Sequence, residues 1–366
     1  MQSVMTASPV VIADLPALAS EPMSVAVLHS FPPPEIELAW RDLLRRVPVP
    51  SHYTSPEYFL EPYFQGKQPF AVLALRGSSA VGLLTGFHEG SEISCGLPTR
   101  PQIQIDPSVD QAAVLRVLAL GLKRESAGAK VVSIYSWEWL SLSPLLDLGY
   151  RSRLLCGNPI LDLSRGAELL LRQCDGKRRN CIRYAMRHGV EVAPAETEQD
   201  YREFYEIYAK WCAAKQMHCY PFEVEELAYK TTSHNRRLLV ARHEGKVIAG
   251  SVFRFMPGGL VEYSRNSSLP EFQNLKPNDL LVWRAVEWAS AEGFPFFSMG
   301  GSHRFLREFG GTIIPIIRYR CDRTFLRRYD RREQMTDTAR SYIAKLPPKW
   351  EQRIRTWIGK EVRAGW

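Results

Sequence analysis

The chain has 366 residues, of which 45% are apolar, 23% charged and 11% aromatic, with 47 lysines and arginines against 39 acids. That length predicts two domains with a sizeable core. The net charge of +8 favours an anionic partner without choosing among phosphorylated small molecules, tRNA and anionic membrane surfaces. Seven cysteines, at 95, 156, 174, 181, 212, 219 and 321, are odd in number and lack CxxC spacing, which speaks against a disulfide framework or a zinc site. No stretch holds the ~18 uncharged apolar residues of a membrane span, and the first ~30 residues lack a signal-peptide pattern. The expectation is a cytoplasmic protein that can still touch the inner face of the membrane.

Residues 1–35, rich in Ala, Ser and Pro, read as a loose arm. A short amphipathic helix follows at 38–46, and 48–69 reads as loop and short helix. Apolar runs at 70–75 and 80–87 form a hairpin. A strand at 102–105 leads to a helix over 109–125, with Val114, Leu118 and Leu122 on one face. Strands at 131–135 and 154–163 close this unit. A mostly helical stretch, 166–230, comes next and begins with a strongly basic segment.

The same order then recurs: a hairpin at 238–242 and 247–255, a strand at 260–265, a helix over 278–292, and strands at 296–299 and 313–319. Leu73 and Val240 are 167 positions apart, Gly82 and Gly250 168, Leu115 and Val282 167, and Gly149 and Gly310 161. A near-constant offset over a shared order predicts a duplicated fold. The expected class is α/β (α+β): tandem domains, each with a mixed, largely antiparallel sheet flanked by helices. The divisions are 1–35, 36–164, 165–330 and a basic tail at 331–366.

Several motifs in the second half carry a family resemblance. Lys177-Arg178-Arg179-Asn180 with Ile182, Arg183 and Gly189-Val190 forms a basic helix before a strand. Leu239 to Gly250, with the turn His243-Glu244-Gly245-Lys246, is a hairpin. Tyr263 and Asn266 end a strand, Leu275-Lys276-Pro277-Asn278-Asp279 starts a helix, and Phe305 to Gly311 carries a glycine pair. Together they resemble the FemAB-like and CelD-like acyltransferases of the GNAT superfamily, found in envelope and exopolysaccharide biosynthesis. The resemblance covers roughly 165–329. Two positions depart from its pattern: Ser298 stands where an acid is usual, and Leu306 where a lysine is usual.

The resemblance implies transfer of an acyl or aminoacyl group to an amine of an envelope or polysaccharide precursor. The donor would be aminoacyl-tRNA or acyl-CoA. A GNAT fold would gather Glu262, Tyr263, His303 and Arg307 near one cleft. Glu262 or His303 would take the amine proton, and Tyr263 or Arg307 would stabilise the oxyanion. Lys177, Arg179 and Arg183, with Asn266, Lys276 and Asn278, are the substrate-binding candidates. Arg179, Arg183 and Arg187 share a helix face, a repulsive stack that a bound phosphate would neutralise. Asn278 reads as a helix N-cap whose free N–H groups suit an anion. The phosphate loop Q/R-x-x-G-x-G/A of CoA-using GNAT enzymes is missing, which counts against acetyl-CoA. Two alternatives stay open: a CoA-dependent acetyltransferase acting on a small amino sugar, and a non-catalytic protein that binds nucleic acid or a membrane surface.

Overall fold

The computed structural model describes residues 22–64 and 66–343. The chain opens with β1 (Met23–Leu28) and α1 (Pro34–Arg46), followed by short 3₁₀ turns. The hairpin of β2 (Gln68–Arg76) and β3 (Ser79–Glu89) leads to β4 (Glu92–Cys95), β5 (Ile103–Ile105), α2 (Gln111–Glu125), β6 (Val131–Trp137), α3 (Pro144–Asp147) and β7 (Arg151–Asp162). The linking helices are α4 (Ala167–Gln173) and α5 (Gly176–Arg187). Next come β8 (Glu191–Pro194), α6 (Glu198–Lys215), α7 (Phe222–Thr231) and the hairpin of β9 (Arg236–His243) and β10 (Lys246–Phe255). The chain continues through β11 (Leu260–Ser268), α8 (Pro277–Ala291), β12 (Phe296–Ser298), α9 (Arg304–Arg307), β13 (Thr312–Asp322) and α10 (Arg328–Ile343). No helix among the described residues is long and apolar enough to cross a membrane.

The repeat is present in the topology. The sheet runs β1-β2-β3-β4-β6-β13-β7-β12-β11-β10-β9-β8, with β5 added on β3. Each half contributes a meander, a parallel pair (β4 with β6, β11 with β12) and a helix between its members. The halves differ from the expected pair of separate sheets in one way. β7 leaves the first half to pair with β12, and β13 leaves the second to pair with β6. β7 and β13 also pair with each other, from Thr312↔Ile160 to Arg320↔Arg151. The two sheets therefore fuse through exchanged last strands, which removes two open edges that would otherwise invite aggregation.

Three segments depart from the sequence expectations. Residues 23–28, taken as loose arm, form the edge strand β1 because Val25 and Ala26 bury against β2 and its flanking helices. The topological counterpart of β11 is β4, not the strand at 103–105, since only β4 lies parallel to its half's last inner strand. Within the basic tail, α10 packs on the fused strands: Glu333 pairs with Arg318 and Arg320, and Asp337 with Arg153 at 2.6 Å. Those arginines are held by carboxylates. The amphipathic segment expected at 350–366 lies outside the described residues.

The core follows the amphipathic stripes. Val114, Leu115, Leu118 and Leu122 of α2 bury against β2–β6, and Trp40, Leu43 and Leu44 of α1 cover the opposite face. In the second half, α8 buries Leu281, Val282, Ala285 and Ala289 on one face, while Phe204, Ile207 and Tyr208 of α6 cover the other. Gly250 is required there. A Cβ at that position would stand 2.4 Å from the Phe204 ring, an overlap that shifts of the helix would have to relieve at roughly 1–3 kcal/mol.

Candidate active site

Where the halves meet, β11 forms the floor of a cavity of about 280 Å³. Strand alternation points Leu260 and Glu262 into it and turns Val261 and Tyr263 to the other face. The walls come from both halves: Val49, Ile103, Trp137 and Trp139 from the first, and Leu260 and Phe296 from the second. Val49, Trp137, Leu260 and Phe296 belong to one apolar cluster with Ile314 and Ile316 of β13. The exchanged strands thus back the cavity wall without lining it.

Glu262 is 3% exposed. Arg100, from the loop before β5, donates Nε to its Oε1 at 2.5 Å and reaches Ser264 Oγ at 3.3 Å. Burial raises the carboxyl pKa, and the charge and hydrogen bond of Arg100 only partly oppose it. A carboxylate whose proton affinity is raised in a cleft can take a proton from an incoming nucleophile. Two more polar side chains are nearby: Trp137, which lines the cavity and whose buried indole N–H is without a partner among the described residues, and Tyr53, whose ring lies under the Arg100 guanidinium and whose hydroxyl interacts with Glu262 and Ser264.

One extra residue in β11 shapes the surroundings. Val252 pairs with Arg265 and Phe253 with Tyr263, leaving Ser264 as a β-bulge. Beyond the bulge, Arg265 turns toward α6 and α7, donating to both oxygens of Glu225 at 2.7 and 2.6 Å. Behind Glu262, Arg254 meets Glu61 and the Nε2 of His52, and Arg236 pairs with Glu61 at 3.4 Å. Burial, with Arg254 and Arg236 adding to it, holds His52 well below its ordinary pKa, so it stays neutral. Among the described residues this junction therefore gathers four guanidinium groups, Arg100, Arg236, Arg254 and Arg265, around three carboxylates, Glu61, Glu225 and Glu262. A low-dielectric setting makes each of these charges consequential.

The remaining predicted site residues separate into two groups away from this cavity. Tyr263 packs against Phe253 with ring centroids 5.9 Å apart, on the opposite face of β11; burial raises its hydroxyl pKa. His303 and Arg307 are exposed at α9. Arg307 lines a surface depression with Gln173, Asp175, Arg304 and Glu308, and His303 stacks on Phe305. Neither lines the cavity that holds Glu262.

The basic helix and the start of α8 form the other group. Asp175 caps α5 by accepting from the Lys177 N–H at 2.8 Å. Lys177, Arg183 and Arg187 are exposed, whereas Arg179 donates to the carbonyls of Arg172, at 2.8 Å, and Cys174, and so closes the end of α4. The buried member is Arg178, which pairs with Asp279 and with Glu308 at 3.0 Å and lies over the Phe305 ring. At α8 the cap is Lys276, in the left-handed region at φ 61°, not Asn278. Pro277 at the first helical position fixes the start one residue earlier. Asn278 instead donates to Ser268 Oγ at 3.1 Å. Its Oδ1 and the Nδ2 of Asn266 are buried without partners among the described residues. The helix end that was expected to be free for an anion carries the buried Asp279 carboxylate, neutralised by Arg178.

Arg100, Trp137, Tyr53 and Arg254 were not singled out in the sequence, and Arg178 was named there only as part of the basic segment. Arg100 stands 162 positions from Glu262, in a Pro-Thr-Arg-Pro loop with no local pattern to mark it. Arg178 sits within the basic run, where helical spacing could have placed it with the buried Ile182 and Ala185.

Residues 176–307 match the family model described as an acetyltransferase (GNAT) domain. No curated protein sequence matches the chain. Among solved structures, FemX superposes with a TM-score of 0.63 at 12% identity, over 81% of this chain and 96% of that one. The C-terminal domain of a lysylphosphatidylglycerol synthetase from Agrobacterium fabrum gives 0.55 at 14%, over 80% and 93%. A tandem GNAT protein of the clavulanic acid pathway gives 0.54 at 11%, over 83% and 99%. Residues 176–307 are thus similar to a GNAT acetyltransferase domain, and the chain shares its fold with FemX and with the tandem GNAT protein.

Proposed function

We propose that the protein is an acyltransferase that moves an acyl or aminoacyl group onto an amine of a cell-envelope or polysaccharide precursor, working at the junction cavity with Glu262 as the base. The observation that carries this reading is a buried carboxylate with a raised pKa on the floor of a cavity built by both halves. The names of the similar structures, FemX and lysylphosphatidylglycerol synthetase, favour an envelope acceptor.

In the reaction, the amine nitrogen attacks the acyl carbonyl and Glu262 takes the proton that the nitrogen sheds. As the tetrahedral intermediate collapses, the bond from the acyl carbon to the donor oxygen or sulfur breaks, and the leaving group receives the proton that Glu262 took. The indole N–H of Trp137 is a candidate donor to the oxyanion. The donor is aminoacyl-tRNA or acyl-CoA, and the start of α8 favours the former. The Asp279 carboxylate, held by Arg178, already occupies that helix end, so it is not free for a pyrophosphate. Lys177 and Arg183, exposed on α5, are proposed to meet the anionic part of the donor or acceptor. The protein would work in the cytoplasm, at or near the inner face of the membrane.

The test is to incubate the purified chain with charged tRNA or acetyl-CoA and a panel of envelope amines, and to look for N-acylated product by mass spectrometry. Product with the wild type and at least ~100-fold less with Glu262→Gln supports the reading. No product with either donor class refutes it.

A further inference from the structure

We propose that the junction cavity selects a primary amine carried on an apolar body, such as a phenylalkyl or alkyl group, and rejects a free amino sugar. This rests on the reading of the cavity as the acceptor site.

The lining is mostly carbon: Val49, Ile103, Trp137, Trp139, Leu260 and Phe296 dominate it. Its polar side chains are largely spent on the protein itself. Gln104 donates to the Val49 carbonyl at 2.8 Å, Ser136 donates to the carbonyls of Trp137 and Leu140, and Ser51 faces Thr54 Oγ1 at 3.4 Å. A sugar ring would bury several hydroxyls here with few partners, and each unsatisfied buried hydroxyl is costly. What the cavity offers a ligand is one charged group, the Glu262 carboxylate, with the buried unpartnered indole N–H of Trp137, the Thr99 hydroxyl and the exposed Gln111 amide. That set suits a single amine and an apolar remainder.

The charges agree with an amine that arrives ready to react. Arg100 bonds Glu262 and Arg254 pairs with it across the β10–β11 ladder, so the site has cations behind its single carboxylate. That positive charge offsets part of the pull that Glu262 itself exerts toward the ammonium form, and the neutral amine is the nucleophilic form. Glu262 is the group placed to accept the proton. Trp139, 47% exposed and tilted against Phe296 at 5.5 Å, marks the mouth where the apolar body would enter.

The experiment titrates the intact protein with phenethylamine and, separately, with glucosamine. It follows the indole N–H resonances by NMR, with Trp137→Phe and Trp139→Ala assigning the two signals. Phenethylamine is expected to shift both signals and to bind at least tenfold more tightly than glucosamine. Trp139→Ala, at the rim, is expected to weaken phenethylamine by about fivefold to tenfold without changing Tm. Glucosamine binding as tightly as phenethylamine, or phenethylamine leaving both signals in place, overturns the proposal. Because no donor is present, binding without any acyl transfer would leave this inference standing and remove the proposed activity. Transfer to amino sugars alone would do the reverse.

Discussion

The pair of Arg100 and Glu262 links the two halves at the cavity floor, and removing one member should expose how much the junction depends on it. The side chains are 23% and 4% exposed, so Glu262 bears most of the desolvation. Two unit charges ~4 Å apart interact by about 4 kcal/mol at an effective dielectric near 20. Breaking a buried pair from one side costs about 3–5 kcal/mol. Arg254, cross-strand from Glu262, offsets part of that loss, so Arg100→Leu is expected to destabilise by about 2–4 kcal/mol. Glu262→Leu leaves Arg100 with a path to solvent and should cost less, about 1–2 kcal/mol. The double variant should lie close to the milder single one, since an apolar pair removes the uncompensated charge. Urea unfolding of all four proteins gives a coupling energy. A magnitude of about 2–4 kcal/mol, the cost of Arg100→Leu itself, is predicted. Coupling below ~0.5 kcal/mol would refute the argument that this pair is buried and mutually dependent.

The basic helix should divide by role. Arg183→Ala is expected to leave Tm unchanged, while Arg179→Ala loses two bonds to carbonyls and should cost about 1 kcal/mol by urea unfolding; equal effects would contradict the assignment. Titration calorimetry should find acetyl-CoA binding weaker than micromolar, since Asp279 occupies the start of α8, and micromolar affinity would restore the CoA-dependent reading. Acid should act through Glu57. Burial pushes its carboxyl up, but hydrogen bonds from Arg41 and Ser55 outweigh this and bring it from 4.5 to about 2. A depressed carboxyl contributes stability that is full above its unfolded value and is lost as pH falls through the folded one. Glu57→Gln should therefore flatten the fall in Tm between about pH 5 and pH 2, and an unchanged slope would show that Glu57 is not the linked group.

Much of the fold was legible because it is periodic. The spacing of Val114, Leu118 and Leu122 marks α2, the alternating runs around Gly245 mark a hairpin, and the offset of 167 positions between Leu73 and Val240 marks the duplication. The exchange of β7 and β13 was not legible, because each strand carries the same apolar pattern whichever half it joins. The candidate site was legible only where one strand carries it. Glu262 was found on β11, but Tyr263, one residue on, necessarily faces the other way once the segment is a strand. Arg100 and Trp137 reach the cavity by tertiary folding alone, and nothing local to either residue announces it. The α8 cap was misplaced because Asn278 looks like a capping residue, whereas Pro277 starts the helix before it.

The pH dependence of amine acylation by the wild type and by Glu262→Gln tests the central claim most directly. Burial raises the Glu262 pKa, so the proposed base ionises above the ordinary glutamate value of 4.5. With a donor and acceptor identified, kcat/KM of the wild type should rise through a break lying above 4.5 and then level. Glu262→Gln should lose at least ~100-fold and show no such break. Full activity in Glu262→Gln with an unchanged profile would contradict the account.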